Sequence, residues 1–292
     1  MQVDSKIYPF SGKYVTVNGH RLHYLDEGSG PPVLMLHGNP SWSIYYRNLV
    51  TALQENWRCI VPDHIGCGYS DKPSSQEYDY SFLQRAKDIE ALLDELGISE
   101  PITLVLHDWG GLIGMTYATK YIERIARVVL LNTAAFHLPE TKKFPAALAL
   151  ARNTSLGSFL IRGFNAFSRG AAWVGCKRKP MGKELRDAYC APYDSWNNRV
   201  ATLRFVQDIP LKPEDRGYAE LTQVQETLPR LQSKPTLICW GLKDFVFDRH
   251  FLERWEEILP EAQVHRFDDC GHYVLEDASD EVIPLIKDFL AA

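Results

Sequence analysis

The stretch Ile102-Thr103-Leu104-Val105-Leu106-His107-Asp108-Trp109-Gly110-Gly111-Leu112 decides how the rest of this chain is understood. Its apolar first half predicts a buried strand, and the residues from Leu112 onward have the pattern of a helix. Asp108 therefore lies at a tight turn between a strand and a helix. An aspartate with an ordinary pKa of about 3.9 is almost fully ionised at pH 7, so it attacks an electrophile without a base to activate it. We interpret Asp108 as a nucleophile; the structural alternative is a helix N-cap.

Short apolar runs on both sides of this turn predict a mostly parallel sheet. Helical stretches separate the runs, which is typical of parallel strands covered on both faces. The runs span residues 33–36, 59–61, 102–106, 128–131, 236–239 and 264–267. Asn18-Gly19, between two further strand-like stretches, predicts a hairpin that begins the sheet with an antiparallel pair. We predict eight strands, seven of them parallel.

One helix of this scaffold is predicted in detail. Ser81 is a suitable N-cap and Gly97 a suitable terminator. An apolar stripe between them marks the buried face. The stripe consists of Leu83, Ala86, Ile89, Leu93 and Leu96.

The alternation of strands and helices stops between residues 131 and 235, which is far longer than an ordinary connection. We predict a helical cap over residues 134–232, inserted between the two parts of one core domain, 1–133 and 233–292. Residues 141–190 contain ten Lys or Arg and two acids, a balance of +8 within a chain of net charge −5, so the remainder carries −13. We interpret this segment as a solvated face over an apolar pocket, with a surface for lipid or an acidic partner as the alternative.

Composition excludes several classes of function. The chain has no Lys- and Arg-rich arm, so no nucleic-acid partner is expected. The six cysteines form no C-x-x-C pair and no His-Glu-x-x-His motif occurs, so neither a metal nor another cofactor is expected. No apolar run approaches the roughly 18 residues that span a bilayer. With no signal segment at the start, these features predict a cytoplasmic location.

Two residues after later strands complete a catalytic set with Asp108. His272 follows the strand that ends near residue 267, and Asp244 follows the strand before it. His272, with an ordinary pKa near 6.5, would be mostly neutral at pH 7 and could activate water. Asp244 would orient its imidazole. The other position at which such an acid can occur is Asn132, which leaves Asp244.

Two further residues are predicted to bind a leaving group. Asn39 and Trp109 offer side-chain and backbone N–H donors at the same sheet edge as Asp108. His37 and His107 flank these elements and are interpreted as structural. The glycine-rich stretch 63–71 is interpreted as a supporting turn, because no lysine follows its glycines.

These motifs resemble the haloalkane dehalogenases, a branch of the α/β-hydrolases. The motifs are His37-Gly38-Asn39-Pro40, His107-Asp108-Trp109-Gly110-Gly111, Asp244 and His272. The resemblance implies the α/β-hydrolase fold and a nucleophilic aspartate whose ester is hydrolysed by water.

Stretches 131–136, 164–168 and 191–199 extend the likeness through the cap. The whole chain is most similar to the β-lactone decarboxylases of bacterial long-chain olefin biosynthesis. That resemblance implies an apolar cis-3,4-dialkyl β-lactone as substrate, an alkene and carbon dioxide as products, and a complex with pathway enzymes. Peripheral membrane contact through the basic cap is the alternative that the charge of the cap leaves open.

Three other functions remain open. Haloalkane dehalogenation needs the same residues and consumes a water. Epoxide hydrolysis would use cap tyrosines as acids, for which Tyr189 and Tyr193 are the candidates. A non-catalytic binding protein could keep the fold, although an intact Asp108, His272 and Asp244 argue against it.

Overall fold

The computed structural model describes residues 3–292 and contains the predicted eight-stranded sheet. Its strands are β1 (Lys13–Val17), β2 (His20–Glu27), β3 (Pro32–Leu36), β4 (Arg58–Pro62), β5 (Ile102–Asp108), β6 (Ile125–Thr133), β7 (Thr236–Gly241) and β8 (Gln263–Phe267). Their order is β1-β2-β4-β3-β5-β6-β7-β8. β2 is antiparallel to both of its neighbours and all other pairs are parallel. Seven strands therefore run in one direction, which confirms the prediction.

The described part of the chain also contains twelve α-helices. They are α1 (Arg47–Leu53), α2 (Phe82–Glu95), α3 (Trp109–Lys120), α4 (Ala146–Asn153), α5 (Ser155–Phe164), α6 (Ala166–Val174), α7 (Lys183–Cys190), α8 (Val200–Gln207), α9 (Tyr218–Thr227), α10 (Arg249–Ile258), α11 (Val274–Asp277) and α12 (Ser279–Ala291). Two apolar clusters lie on the two faces of the sheet. Leu104 and Leu106 of β5 belong to the cluster with α2, α3 and α10, whereas Val105 belongs to the cluster with α1 and α12. The alternation follows from the two-residue period of a strand.

Helix α2 begins and ends close to the predicted positions. The Ser81 hydroxyl accepts the Gln84 N–H at 3.2 Å, and Gly97 has a φ of +62° just beyond the helix. The buried face is wider than predicted, because α2 packs against both α3 and β1. Phe82, Arg85 and Leu92 are also buried, while the predicted Leu83 and Leu96 are half-buried.

We call residues 134–235, between β6 and β7, the helical insertion; it contains α4 to α9. Several of its cations pair with acids and do not form one solvated face. Lys142 pairs with Asp248 of the core, and Arg178 pairs with Asp269 at 2.7 Å and with Glu281. The local surplus of positive charge therefore partly binds the insertion to the acidic core. Among residues 3–292, no helix has the length and apolar character needed to cross a bilayer.

Candidate active site

Asp108 lies at the sharp junction of β5 and α3, in a backbone conformation that side chains rarely adopt. Its φ is +51° and its ψ is −127°. Such conformations cost roughly 1–3 kcal/mol and persist where surrounding structure enforces them. Instead of capping α3, the carboxylate accepts the backbone N–H of Asn39 at 2.5 Å through Oδ1. The alternative interpretation of Asp108 as a helix cap therefore fails.

Close packing around this junction requires glycines. A Cβ on Gly110 would lie 1.9 Å from the Leu36 carbonyl oxygen, and one on Gly38 would lie 1.9 Å from Asp108 Oδ1. The Thr133 hydroxyl donates to the Asp108 carbonyl from β6. These close contacts fix the Asp108 turn between β3, α3 and β6.

His272 and Asp244 meet Asp108 at the carboxyl edge of the sheet. His272, in the loop between β8 and α11, donates from Nδ1 to Asp244 Oδ2 at 2.8 Å. Its Nε2 lies 3.7 Å from Asp108 Oδ2. Asn132 donates to the same Asp244 oxygen at 3.1 Å and to the Gly241 carbonyl at 2.9 Å. Parallel strands bring these four residues together because all end at the same edge.

Burial changes the charge states that the sequence predicts. It raises the pKa of Asp108 to about 6, although the His272 charge and the N–H groups of Asn39 and Trp109 act in the opposite direction. At pH 7 the ionised form of Asp108 therefore exceeds the protonated form only about tenfold. Burial also lowers the pKa of His272, but Asp244 and Asp108 outweigh it and the net shift is upward. The shift therefore favours the protonated form of His272, opposite to the direction that a neutral base requires.

Asn39 and Trp109 both lie at the cavity beside Asp108, but part of their predicted donor capacity is already used. The Asn39 backbone N–H is bound to the Asp108 carboxylate, and its side-chain Nδ2 donates to the Thr202 carbonyl at 3.1 Å. An amide carries two protons, so one of them remains available. No group among residues 3–292 accepts a hydrogen bond from the Trp109 indole N–H, which leaves that donor free for a ligand.

The cavity above Asp108 is almost entirely apolar. Its lining includes three residues with strongly polar side chains, Asn39, Asp108 and His272, among the residues that the structure describes. The remaining twenty are Trp109, Leu112, Ala134, Ala135, Phe136, Leu138, Phe144, Pro145, Leu148, Phe167, Ala171, Val206, Ile209, Pro210, Leu211, Leu221, Phe245, Val246, Phe247 and Phe251. Many of them come from the helical insertion, so this segment closes an apolar chamber over one carboxylate.

The two flanking histidines support loops. His37 donates from Nδ1 to the Gly38 carbonyl at 2.8 Å and accepts the His64 N–H at 3.1 Å. His107 donates to the His272 carbonyl at 2.9 Å. Burial lowers the pKa of His37 to about 4 and that of His107 well below its ordinary value, so both are neutral. Asp63, in the glycine-rich turn, accepts N–H bonds from Ser43 and Tyr69. This geometry agrees with a structural interpretation.

Sequence reasoning missed several residues of the site. Phe247 stacks on the His272 ring with centroids 5.9 Å apart, and its signal was the run Phe245-Val246-Phe247 after Asp244. Phe205 packs 5.4 Å from Trp109, and the Arg85 guanidinium lies 3.7 Å from the Phe205 centroid. Phe205 and Arg85 could not be predicted, because they are distant from Trp109 in the sequence and belong to no motif that includes it.

The two cap tyrosines lie outside the cavity lining. The Tyr189 hydroxyl donates to Glu276 at 2.6 Å, and the Tyr193 hydroxyl donates to the Ser41 carbonyl at 3.2 Å. Neither hydroxyl is therefore placed to act as an acid on a substrate held at Asp108, which argues against the epoxide hydrolase alternative. Residues 3–292 contain no group of three His, Cys, Asp or Glu arranged to hold a metal ion.

Comparisons with known proteins agree with this fold. Residues 31–279 match the family model described as the alpha/beta hydrolase fold. A cis-3-alkyl-4-alkyloxetan-2-one decarboxylase of Shewanella oneidensis is 62% identical over 97% of this chain and 89% of that protein. Haloalkane dehalogenase 2 of Mycobacterium bovis is 30% identical over 97% of this chain and 96% of that protein. The Y109W mutant of the haloalkane dehalogenase DatA from Agrobacterium tumefaciens superposes with a TM-score of 0.87 at 23% identity, covering 97% of each chain.

The chain belongs to the α/β-hydrolase family, in the branch that contains these haloalkane dehalogenase-like enzymes.

Proposed function

We propose that this enzyme decarboxylates cis-3,4-dialkyl β-lactones to cis-alkenes and carbon dioxide, as a step of long-chain olefin formation in the cytoplasm. The observation that carries the proposal is the 62% identity, over nearly the whole chain, to a protein named for decarboxylating such oxetan-2-ones. The apolar chamber around Asp108 supports it, because two alkyl chains need an apolar lining and only the lactone ring needs polar groups. The six free cysteines favour a reducing location.

In the first proposed step, ionised Asp108 attacks ring carbon C4 from the side opposite the ring oxygen. The C4–O bond breaks, an ester forms between Asp108 and C4, and the ring opens to a carboxylate on C3. The free indole N–H of Trp109 and the remaining amide proton of Asn39 are suited to bind this carboxylate. Each such donor is worth roughly 3–4 kcal/mol where it has been measured.

In the second step, the C2–C3 bond breaks and its electrons form the C3=C4 double bond as Asp108 departs. Carbon dioxide and an alkene account for every atom of the lactone, so no water is consumed. A protonated His272, with Nε2 3.7 Å from Asp108 Oδ2, is suited to stabilise the departing carboxylate. The raised pKa of His272 favours this role over water activation, which needs the neutral form. Asp244 would hold the imidazole in orientation.

The proposed steps also fix the geometry of the product. Attack at C4 inverts that carbon and sets the new C–O bond opposite the C3 carboxylate. In this conformer the C3 carboxylate and the Asp108 ester are antiperiplanar. Their elimination leaves the two alkyl chains on the same side of the new double bond. A cis-lactone therefore gives a cis-alkene without rotation about the C3–C4 bond.

The second candidate is haloalkane dehalogenation, favoured by the 30% identity to a haloalkane dehalogenase. Asp108 would displace halide, and His272 would direct water onto the resulting ester. That water must enter a chamber whose lining is almost wholly apolar. The raised His272 pKa also opposes its action as a base near neutral pH.

Product analysis distinguishes the two reactions. The purified enzyme is supplied separately with a cis-3,4-dialkyl β-lactone and with a 1-bromoalkane of similar length, and alkene and bromide are measured. We expect cis-alkene from the lactone at a rate far above that of bromide release. Bromide release without alkene formation would contradict the proposal.

Two controls test the mechanism. Asp108→Asn should reduce alkene formation by about a thousandfold or more, whereas Asp288→Asn on the exposed side of α12 should have no effect. Turnover in H₂¹⁸O should leave the Asp108 peptide unlabelled, because the lactone reaction uses no water. Incorporation of ¹⁸O into that peptide during lactone turnover would exclude the water-free mechanism.

A further inference from the structure

The outer surface of the helical insertion is unusually apolar. Nine large hydrophobic side chains are exposed in the described residues, and seven of them lie between residues 150 and 196. Leu156, Phe159 and Phe164 are 51–59% exposed on α5, and Trp173 at the end of α6 is 65% exposed. Phe159 packs 5.6 Å from Phe164 and 6.3 Å from Trp196, so these side chains form one continuous surface. We call α5, the end of α6 and Trp196 the apolar face.

Cations surround this apolar face. The Arg162 guanidinium lies 4.5 Å from the Trp196 ring, and that of Arg186 lies 3.9 Å from the Trp173 ring. An adjacent groove is lined by both Phe164 and Trp173, together with four cations and two acids. The charged lining residues are Arg169, Lys183, Arg186, Arg199, Asp187 and Asp194. The apolar face is therefore bordered by a net positive rim, in contrast to the acidic remainder of the chain.

Helix α6, which carries Trp173 of the apolar face, also lines the catalytic chamber. Phe167 and Ala171 of α6 lie in the chamber wall, while Trp173 and Val174 project from the outer end of the same helix. Leu148 of α4 also lines the chamber, and Leu150 is exposed two residues later. Helix α6 therefore reaches from the apolar face to the wall of the chamber.

We propose that the apolar face docks on the surface of an anionic lipid bilayer, with α5 lying in the interface and the cationic rim bound to headgroup phosphates. A helix with Trp, Phe and Leu on one side and Arg or Lys beside them has the composition of interfacial helices. The aliphatic stems of the rim cations cover the rings while their charged ends reach the headgroups. Each cation near an anionic surface contributes roughly a fivefold gain in binding.

Lipid fits this surface better than a protein partner does. Arginines stacked on its aromatic rings border the apolar face, and the net positive charge of the adjacent groove is complementary to phosphate. Docking would also bring a dialkyl substrate, which is itself lipid-like, next to the helices that cover the chamber. Only this delivery role rests on the proposed function; the docking itself is argued from the surface alone.

Vesicle co-sedimentation tests the docking without any turnover. The purified full chain is mixed with vesicles of phosphatidylcholine containing phosphatidylglycerol, and in parallel with vesicles of phosphatidylcholine alone. We expect binding to the anionic vesicles at low salt, a loss of about tenfold or more at high salt, and little binding to the neutral ones. Equal binding to both, or to neither, would overturn the proposal; in the latter case a protein partner becomes the better explanation of the surface.

Matched variants separate the apolar and charged contributions. Phe159→Ser with Phe164→Ser, and separately Arg169→Gln with Arg186→Gln, should each weaken binding about tenfold or more. The controls are Tyr14→Ser, which removes an exposed ring from β1, and Lys87→Gln with Lys287→Gln, which removes two exposed core cations. Controls should bind as the unmodified protein does, and thermal unfolding checks that every variant is folded. Surface variants that bind normally would overturn the proposal.

Brominated lipids locate the contact. Bromine on the acyl chains should quench the fluorescence of Trp173 and Trp196, while the fully buried Trp42, Trp240 and Trp255 remain unquenched. Trp173→Phe and Trp196→Phe assign the signal. Quenching that survives both replacements would place the contact elsewhere and reject this docking face. A variant that loses vesicle binding but still converts dispersed short-chain lactone would separate docking from catalysis.

Discussion

Burial of a single carboxylate has two opposite effects on this enzyme. It removes water that would weaken Asp108 as a nucleophile, and it raises the pKa of Asp108 to about 6. His272 and two backbone N–H groups limit that rise. The sequence identifies both side chains, but their charge states depend on desolvation and on distances between residues far apart in the chain. Ordinary pKa values therefore mislead at this site.

The pH dependence of turnover should follow the ionisation of Asp108. The value of kcat/KM should be constant above about pH 7 and fall about tenfold per unit below pH 6, because only the ionised form attacks. His272→Gln removes the positive charge that lowers the Asp108 pKa, so the acid limb should move to higher pH. Rates of lactone loss measured from pH 5 to 9 test this, and an unmoved limb would argue against the charge coupling.

The same burial should make Asp108 costly for stability. Its pKa in the folded state lies above that in the unfolded chain, so this contribution to stability is fully present below about pH 4 and is lost as the pH rises through about 6. Asp108→Asn, which is always neutral, should increase the free energy of unfolding by about 1–3 kcal/mol at pH 8 and change it little at pH 4. Urea unfolding at both pH values measures the difference.

Asp26→Asn gives a control of opposite sign. Burial raises the pKa of Asp26, but Arg58 and Lys13 outweigh burial and lower it overall. Its contribution to stability is therefore present above about pH 4, and the variant should be less stable than the original protein at pH 8. A gain in stability for both variants would show that the Asp108 effect is not electrostatic.

At the scale of elements, the strands and α2 were predictable because their signals are local. Apolar runs, Asn18-Gly19, Ser81 and Gly97 each act over a few residues. Contacts between distant elements were not predictable in this way. The wide buried face of α2 results from its packing against α3 and β1. The hydroxyls of Tyr189 and Tyr193 are held by hydrogen-bond acceptors in distant segments of the chain.

Asp277 connects two such elements. From the end of α11, its carboxylate accepts the backbone N–H groups of Gly271 in the His272 loop and of Lys177 and Lys179 in the insertion. Asp277→Asn removes one acceptor oxygen and the charge, so the free energy of unfolding should fall by about 1–3 kcal/mol. Amide exchange of Gly271 and Tyr273 should accelerate, and kcat should fall more than KM changes. Asp288→Asn, exposed on α12, is the matched control; equal exchange in both would contradict the connection.

At the scale of the molecule, the sequence predicted an insertion with excess positive charge on an acidic body, but not how the two are joined. Lys142 reaches Asp248, and Arg178 reaches Asp269 and Glu281, through pairings that no spacing in the sequence reveals. The predicted basic face is accordingly smaller than the charge count implies. The cations of residues 141–190 that form no ion pair are concentrated near α5 to α7.

These ion pairs should control the opening of the insertion more than global stability. Lys142→Ala with Arg178→Ala should increase hydrogen exchange across α4 to α6, while exchange in β5 stays unchanged. Partly exposed pairs are worth about 1 kcal/mol or less each, so the unfolding midpoint should move little. The control is the double variant Lys87→Ala and Lys287→Ala, and hydrogen-exchange mass spectrometry compares the two double variants. Equal exchange in both would contradict the prediction.

The wall of the chamber also bears on how products depart. Apolar side chains form nearly all of the chamber wall above Asp108, and a bare anion that crosses such an apolar region loses several kcal/mol of hydration. Carbon dioxide and an alkene carry no charge and lose nothing on that route. We therefore expect the chamber to release neutral products readily. A reaction that produces an ion should be slowed at the step of product release.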